Sequence, residues 1–499
     1  MADHLMRIVI VGGGTAGWMT AASLSKLLGK SLTITLVESD AIGTVGVGEA
    51  TIPTLTTLHN LLKINEQDFL RATSGTIKLG IQFEHWLRKG HTYFHSFGYT
   101  GESCWAAGFQ HFWLRGLDLG LSDSDYGRYA PELQVAVKER FGFVPQSPLN
   151  YAYHLNATAY AEFLRRIAEA HGVSRIEGKV INVEQGVSGD IDAVSLDNGH
   201  QVSGDIFVDC SGFSGLLIDK TLRVPFEDYS HWLPCDKAIA VQSEGTARMR
   251  PFTRSIAHEA GWQWQIPLQH RVGNGLVYSS HHFTEERATE LLLESLDSEP
   301  TTSPRLISFK TGQRRAHWHK NCVAIGLSAS FIEPLESTSI HLISRAIIRF
   351  MQMMPREKGD SHGRDEFNRQ MTEEVDFIKD FIVLHYHLNQ RDEAFWKDMA
   401  ALSLPERLSQ RIALFRESAK AFQAQGDVFG ENSWTQVMIG QGILPSAYHQ
   451  ISDMMTEHEL ENFLSIQAKK VDALVGLLPS HQEFLRRYLS VGKPQVKGT

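Results

Sequence analysis

Three glycines near the amino terminus, Gly12, Gly14 and Gly17, have the spacing of a loop that approaches the pyrophosphate of a dinucleotide. A buried strand pattern, "RIVIV", precedes them, and a helix with apolar spacing follows. Glu38 ends the next β-rich run, where a carboxylate accepts hydrogen bonds from a ribose. Because all these parts are present, the segment predicts dinucleotide binding at the amino end of the helix. The predicted cofactor-binding residues here are Gly12, Gly14, Thr15, Ala16, Gly17 and Glu38.

Two later segments also end a strand pattern near glycine, namely "GDIFVDCSGFSG" (204–215) and "NCVAIGLSASF" (321–331). Each alone is also compatible with an ordinary strand end. Together they favour FAD over NAD, because a flavin site assembled from distant segments needs such returns to one sheet. The sequence has no second GxGxxG, so a domain for NAD(P)H is not evident. The predicted cofactor-binding residues in these two segments are Gly212, Gly326 and Leu327.

Two tryptophans, Trp262 and Trp264, stand one residue apart in "GWQWQIPL" (261–268). In a strand their side chains project from the same face, which gives a double indole wall. Core packing explains most such pairs, because aromatic side chains fill the space between packed layers. The segment alone therefore leaves the role of the pair open.

The segment "FIEPLESTSIHLISRAIIRFM" (331–351) combines a cap region with helical apolar spacing. Four polar residues, Glu336, Ser337, Thr338 and Ser339, cluster where this helix begins. Free N–H groups and the helix dipole make such a position a site for an anion. The alternative is that Glu336 is only a stabilising charge at the helix amino terminus.

The composition of the 499-residue chain, with 42% apolar and 21% charged residues, is that of an ordinary globular protein. A formal net charge of -9 without a long basic run argues against a nucleic-acid partner. The four cysteines are far apart and show no CxxC spacing, which predicts reduced thiols in a cytoplasmic enzyme and no metal site. We see no signal-peptide pattern and no run of about 18 apolar residues, so we expect no membrane association.

The order of strand and helix patterns predicts an α/β (α+β mixed) fold in two parts. We expect an FAD-binding Rossmann-like domain from residues 1–95 and 155–385. Residues 96–154 and 386–499 are expected to form an added, largely helical part that binds the substrate.

With the FAD motif in place, "GWQWQIPL" resembles the WxWxIP motif of the flavin-dependent halogenases of the tryptophan halogenase family, and all four positions match. The resemblance implies a fold of the flavin monooxygenase type. It also implies that Trp262 and Trp264 lie beside the flavin and keep the organic substrate from reaching it directly.

Three further stretches extend the resemblance over most of the chain. "TVGVGEATIP" (44–53) is similar to the family's flavin-contacting strap, which adds Gly46, Gly48 and Ala50 to the cofactor-binding residues. The resemblance also implies contacts with the cofactor at Val180 and Ile340. "GTIKLGIQFEHW" (75–86) resembles the segment with the essential lysine, here Lys78, and the segment 331–351 resembles that with the active-site glutamate, here Glu336. Halide is implied at Thr338 and Ser339, although the family usually has glycine at the position of Ser339.

The chemistry implied by the resemblance is halogenation of an aromatic ring. FADH2 from a separate flavin reductase and oxygen convert chloride or bromide to hypohalous acid, a small neutral molecule. Lys78 then holds this oxidant through a hydrogen bond or becomes a haloamine, and the sequence does not decide between the two. Glu336 orients the electrophile or accepts the proton that the arene loses. Without the resemblance, Lys78 is one of 48 basic residues and is expected in solvent.

The substrate-binding residues implied by the resemblance are His95, Phe97, Ser337 and Trp434. The chain departs from the tryptophan-specific members before Trp434, where Phe422 and Gln423 replace tandem tyrosines. Phe429 occupies the position of the glutamate that pairs with the ammonium group, unless a gap brings Asp427 or Glu431 there. We therefore expect an indole-like or other electron-rich aromatic without the amino-acid head.

Two other function classes stay open. An ordinary FAD-dependent aromatic monooxygenase would oxidise NAD(P)H directly and hydroxylate its substrate without halide. A flavin-binding redox or regulatory protein would bind FAD and form no organic product. In the preferred interpretation the partners are a small aromatic substrate and a flavin reductase, and the chain is a monomer or homodimer.

Overall fold

The computed structural model describes residues 6–43, 48–246, 248–355 and 362–490. Its strands are, in chain order, β1 (Met6–Val11), β2 (Leu32–Glu38), β3 (Gly48–Ala50), β4 (Thr76–Lys78), β5 (Gly80–Glu84), β6 (Thr92–Ser96), β7 (Ala152–Asn156), β8 (Ser174–Glu177), β9 (Val180–Gln185), β10 (Ile191–Leu196), β11 (Gln201–Ser203), β12 (Ile206–Asp209), β13 (Phe226–Asp228), β14 (Lys237–Glu244), β15 (Thr253–His258), β16 (Gly261–Pro267), β17 (Arg271–Tyr278), β18 (Arg305–Ser308), β19 (Gly312–Arg314), β20 (Trp318–His319), β21 (Cys322–Ala324) and β22 (Ser330–Phe331).

The α-helices of the described residues are, in chain order, α1 (Thr15–Leu28), α2 (Thr54–Leu61), α3 (Glu66–Thr73), α4 (Phe109–Asp118), α5 (Pro131–Val137), α6 (Ala157–Ala170), α7 (Glu285–Glu294), α8 (Ser339–Met353), α9 (His362–His387), α10 (Ala394–Ala400), α11 (Glu406–Ser418), α12 (Glu431–Gly440), α13 (Glu457–Leu477) and α14 (His481–Ser490). None of these helices combines the length and the apolar character that a membrane span requires.

The first of two compact units takes its described residues from 1–74, 155–236 and 308–377. Its main sheet has the order β20-β21-β12-β1-β2-β8, in which every neighbouring pair is parallel except β20 with β21. The strand β1 lies between two neighbours, and Ile8, Val9 and Ile10 are buried, as expected for a strand inside a parallel sheet. The glycine turn follows the carboxyl end of β1 and therefore lies at the edge where parallel sheets bind ligands.

The second unit takes its described residues from 75–154, 237–307 and 378–499. Its main sheet has the order β18-β14-β17-β16-β15-β5-β6 and is largely antiparallel, with β15 and β5 parallel. All seven residues of β16 are buried, and the strand lies inside the sheet, between β17 and β15. The helices α10 to α14 follow in the carboxyl-terminal part of the unit.

The predicted α/β (α+β mixed) fold class is confirmed, and the largely parallel sheet of the first unit is of the Rossmann-like type. The division into units differs in its bounds from the predicted division into functional parts. Residues 75–95 and 237–307 belong to the second unit together with 96–154, because β5 pairs with both β6 and β15. Which part binds the cofactor and which binds the substrate stays a prediction.

Candidate active site

The glycine turn of the first unit has the geometry that a bound pyrophosphate needs. Gly12 has φ +115°, and a Cβ atom there would lie 2.2 Å from the Cys210 carbonyl oxygen. A Cβ atom at Gly17 would lie 1.8 Å from the Gly12 carbonyl oxygen, so both positions require glycine. At Gly14, directly before α1, a Cβ atom would meet no other atom within 4 Å. The turn thus leaves open space before the amino end of a helix, where the phosphates of FAD fit.

Glu38 lies at the end of β2, beside this turn, as the sequence predicts. The indole Nε1 of Trp18 donates to its carboxylate over 3.3 Å, and Arg175 forms an ion pair with it. A Cβ atom at Gly13 would collide with the Glu38 Oε2 atom, which shows how closely the carboxylate approaches the turn. The position suits a ribose acceptor, and Arg175 is a partner that the sequence pattern did not indicate.

The two later segments that end a strand near glycine, 204–215 and 321–331, lie close to the glycine turn. Gly326 has φ +84°, and a Cβ atom there would lie 2.9 Å from the Ala16 Cβ atom, so glycine lets this loop approach α1. Gly212 has φ +68° and follows β12, whose buried Asp209 accepts backbone N–H bonds from Leu217 and Ile218. The structure thus brings Gly12, Ala16, Gly17 and Gly326 into one region of the first unit.

The other predicted cofactor-binding residues are more scattered. Val180 lies in β9, where it pairs with Leu196 of a small three-stranded sheet. Gly48 and Ala50 lie in β3, and Ile340 is buried in the first turn of α8. Gly46 lies outside the described residues. For these positions a contact with FAD stays a prediction.

A cavity of about 30 Å³ lies at the predicted halide position in the first unit. Its wall includes Leu327, next to Gly326, and Ser330 of β22, together with Thr338 and Ser339 from the start of α8. The first N–H groups of a helix have no partner within the helix, and the first turn of α8 contains no acidic residue. The cavity therefore combines a small volume with N–H donors, which suits a monatomic anion.

Glu336 ends a short 3₁₀ turn, Pro334–Glu336, directly before the start of α8. Its side chain is fully buried, as is that of Glu333. Ser337 follows with φ +60°, a left-handed conformation that turns the chain into the helix. The burial of this carboxyl group argues against the alternative that Glu336 is only a stabilising charge in solvent at the helix amino terminus.

Lys78 ends the short strand β4 in the second unit, and its side chain is fully buried. Its Nζ atom lies 5.1 Å from the centroid of the Phe97 ring, within the range of a cation–π interaction. The alternative of a lysine in solvent is therefore excluded. Burial of an ammonium group is costly and is kept where the group has a task or a partner.

An aromatic cluster of the second unit joins two more of the predicted residues. Phe381 of α9 lies 5.4 Å from His95 and 4.7 Å from Trp434, measured between ring centroids. Phe429 stacks on Phe381 with centroids 3.9 Å apart. Sequence reasoning missed Phe381, because its position within a long apolar helix pattern is equally typical of a core residue. The cluster offers flat apolar surfaces of the kind that bind a planar ring.

Asp427 and Glu431 are the two carboxylates that could replace the missing ammonium partner, and both already have partners within the chain. The Asp427 side chain is fully buried and forms an ion pair with Arg411 over 2.9 Å. The indole Nε1 of Trp434 and the backbone N–H of Phe429 also donate to it. Glu431 accepts a hydrogen bond from Gln110 over 3.2 Å. Neither carboxylate is therefore arranged to bind the ammonium group of an amino acid.

The two tryptophans of β16 lie on one face, as predicted, with ring centroids 6.2 Å apart. Trp262 also contacts Trp86, with centroids 6.3 Å apart, and Trp264 lies against Gly275, where a Cβ atom would be 2.0 Å from the indole. Both rings are buried within the second unit. Core packing is thus part of their role, and a wall beside the flavin stays a prediction.

Histidines stand two residues apart in "HWH" (317–319) and in "HYH" (385–387), and at least one histidine of each pair has a structural partner. His317 bonds to Gln313, and His385 bonds to the Tyr93 hydroxyl over 2.6 Å. Among the described residues there is no group of three or more His, Cys, Asp or Glu side chains that could hold a metal ion.

The fold and the site define the class of flavin-dependent halogenases, and comparisons with known proteins agree. Xcc4156, a flavin-dependent halogenase from Xanthomonas campestris, has 51% sequence identity and a TM-score of 0.95, with 97% of this chain and 99% of that chain covered. BrvH, a flavin-dependent halogenase from Brevundimonas sp. BAL3, has 41% identity and a TM-score of 0.93 over the same shares. Tryptophan 7-halogenase RebH from Lentzea aerocolonigenes is 34% identical over 528 residues, 98% of this chain and 99% of the relative.

The family model described as tryptophan halogenase matches residues 7–457. The chain belongs to the tryptophan halogenase family. It is thus a flavin-dependent enzyme, and the predicted family, fold and enzyme class are confirmed.

Buried histidines make the stability of the fold sensitive to acid. Burial lowers the pKa of His59 to about 3, the pKa values of His111, His317 and His481 to about 4, and that of His154 well below its usual value. Below pH 6.5 the unfolded chain binds protons that the folded chain does not. Each of these groups then removes up to about 1.4 kcal/mol of stability per pH unit, down to its folded pKa.

We expect a lower Tm at pH 5 than at pH 7, measured by thermal unfolding. Glu49 and Glu132 oppose this, because burial raises their pKa values to about 7 and the folded chain therefore takes up protons as the pH falls. The histidines outnumber them. The variant His111→Gln removes one titrating group and should reduce the difference between the two Tm values. Equal Tm values for the unchanged protein at both pH values would contradict the expectation.

Proposed function

We propose that the protein halogenates an electron-rich, indole-like aromatic with chloride or bromide, oxygen and FADH2 supplied by a separate flavin reductase. The observation that carries the proposal is the fully buried ammonium group of Lys78 beside the Phe97 ring, in a chain that matches the family over nearly its whole length. When bound, reduced FAD would give two electrons to oxygen, and the partly reduced oxygen would take two more from the halide to form hypohalous acid and water. The residues of the chain bind the participants, direct the oxidant and move protons.

In the first unit, the proposal assigns FAD binding to the glycine turn, Glu38 and the loop at Gly326. The cavity at Thr338 and Ser339 is assigned to the halide ion, since its N–H donors and small volume suit an anion. Ser339 adds a hydroxyl group where the family usually has glycine, and this hydroxyl is a further donor available to the halide. Glu336 is assigned to orientation of the oxidant or acceptance of the proton from the arene.

In the second unit, Lys78 is assigned to hydrogen bonding with hypohalous acid, which makes the halogen more electrophilic. Phe97, His95 and Trp434 are assigned to the aromatic substrate. Ser337, in the segment before α8, carries the same assignment. The tryptophans of β16 are assigned to keeping the arene from the flavin. The free thiols and the need for a nicotinamide-dependent reductase suit an enzyme of the cytoplasm, acting as a monomer or homodimer.

The proposed substrate lacks the amino-acid head of tryptophan. RebH is by its name a tryptophan 7-halogenase, but in this chain Phe429 stands where an ammonium partner is expected, and it stacks on Phe381. Asp427 is neutralised by Arg411. Without a carboxylate for the ammonium group, free tryptophan lacks a charge-assisted hydrogen bond, which is worth about 1.5–3 kcal/mol.

The test is mass spectrometry of a reaction that contains the purified protein, FAD, a separate flavin reductase, NADH, oxygen and indole. It is run with bromide, with chloride and without halide. We expect halogenated indole only when halide is present, and a kcat/KM for free tryptophan at least about tenfold lower. Hydroxylated indole without halide would identify an aromatic monooxygenase instead. Rapid NADH oxidation without the reductase would contradict the separate supply of FADH2.

A further inference from the structure

Lys78 lies at the end of a short strand, β4. β4 contains three residues and pairs antiparallel with β7, with Thr76 opposite His154 and Lys78 opposite Ala152. A three-residue strand has few ladder hydrogen bonds of its own. It holds a buried ammonium group in place, and side chains add to the support that its backbone pairs give.

His154 supports β4 from the neighbouring strand. The Thr76 hydroxyl donates to the Pro267 carbonyl oxygen over 2.7 Å, and Pro267 closes the WxWxIP motif. Thr76 must therefore accept from His154 Nδ1, 2.9 Å away, which fixes the proton on that nitrogen. The other nitrogen, Nε2, then accepts from the Thr253 hydroxyl over 2.9 Å. A single neutral tautomer satisfies the whole chain of hydrogen bonds.

His481 supports β4 from the first residue of α14. Its Nε2 atom accepts the backbone N–H of Ile77, the residue before Lys78, over 3.2 Å. An amide N–H only donates, so the ring proton is on Nδ1, which donates to the Met249 carbonyl oxygen over 2.8 Å. His481 lies beyond residues 7–457, which the family model matches. Both histidines are fully buried.

From this geometry we infer that His154 and His481 are positioning residues for Lys78: His154 joins Thr76 of β4 to Thr253 of β15, and His481 joins β4 to the carboxyl-terminal helix. The inference rests on the proposed function, in which Lys78 directs the oxidant. Burial lowers the pKa values of both imidazoles, which keeps each ring neutral and able to accept at Nε2. Neither ring needs to touch the substrate or the oxidant.

Loss of either support should displace Lys78 without stopping formation of the oxidant. A displacement of about 1 Å in a reacting group costs about 100-fold in rate. His481→Phe and His154→Phe keep a ring of similar size and remove the hydrogen bonds. His481→Gln keeps an acceptor near the position of Nε2, so it should restore much of what His481→Phe loses.

The experiment measures, for each variant, the halogenated indole formed and the hypohalous acid released, which a 1,3-diketone captures. We expect His481→Phe and His154→Phe to lower the kcat for halogenated indole by about 100-fold, with captured hypohalous acid rising instead. The matched control is His111→Gln, since His111 is a buried histidine of the same unit that accepts the backbone N–H of His449 over 3.1 Å. This control should leave the ratio of the two products unchanged.

The outcomes separate the inference from the proposed function. If the unchanged protein forms no halogenated indole, the proposed function fails. If the unchanged protein is active and Lys78→Met is not, but the histidine variants keep the original product ratio, the inference fails. Variants in which Tm, oxidant formation and halogenation fall together, without recovery in His481→Gln, would also overturn it, because the histidines would then only stabilise the fold.

Discussion

Replacement of Lys78 by methionine is expected to lower the rate of arene halogenation by about 1,000-fold or more, within the range of a directly acting catalytic group. Methionine retains an unbranched side chain of similar length, so the fully buried site stays filled while the ammonium group is lost. The oxidant should still form, because the residues assigned to FAD and halide belong to the other unit. Hypohalous acid captured by a 1,3-diketone should therefore rise, because the oxidant still forms and is no longer consumed by the arene.

The measurement compares halogenated indole with captured hypohalous acid in the same reaction. A second substitution, Lys379→Met, serves as the control, since Lys379 is also buried in the second unit but forms an ion pair with Asp380. This control should change the product ratio little. If Lys78→Met lost both the oxidant and the halogenated product, the lysine would be required for the fold and not for transfer of the halogen.

The parts of the site that depend on local spacing could be predicted from the sequence. The glycine turn is an example, because Gly12, Gly14 and Gly17 act within one strand, turn and helix, and Glu38 follows in the next strand. The start of α8 is another, since cap residues and apolar spacing lie within one segment. In both regions the physical requirement and the residues that meet it are close together in the chain.

The remaining parts depend on contacts between distant segments. The burial of Lys78 beside Phe97 and the supports from His154 and His481 follow from pairings that no local pattern contains. The same is true of residues 75–95, which join the second unit because β5 pairs with β15, about 170 residues later along the chain. The state of Asp427 could not be predicted because it lies in the loop that follows α11, and only the fold of this loop brings it to its partner, Arg411, within that helix.

The substitution Glu336→Gln is expected to lower the rate of arene halogenation by about 100-fold, the usual size of a contribution from general acid–base catalysis. Glutamine has nearly the same shape, so the turn before α8 should keep its conformation. It cannot accept a proton, however, and it carries no charge to orient an electrophile. Steady-state kinetics with indole should show the loss in kcat, whereas the KM for halide should change little.

The neighbouring Glu333→Gln provides a matched control for this prediction. Glu333 is also fully buried and lies in the same segment, three residues earlier. Its replacement removes one buried carboxyl group from the same turn, so any general effect on folding should appear in both variants. A much larger loss of kcat in Glu336→Gln would assign the proton or orientation role to that carboxyl group. Equal losses in the two variants, with equal falls in Tm, would instead show that both glutamates support the turn and would remove Glu336 from the chemistry.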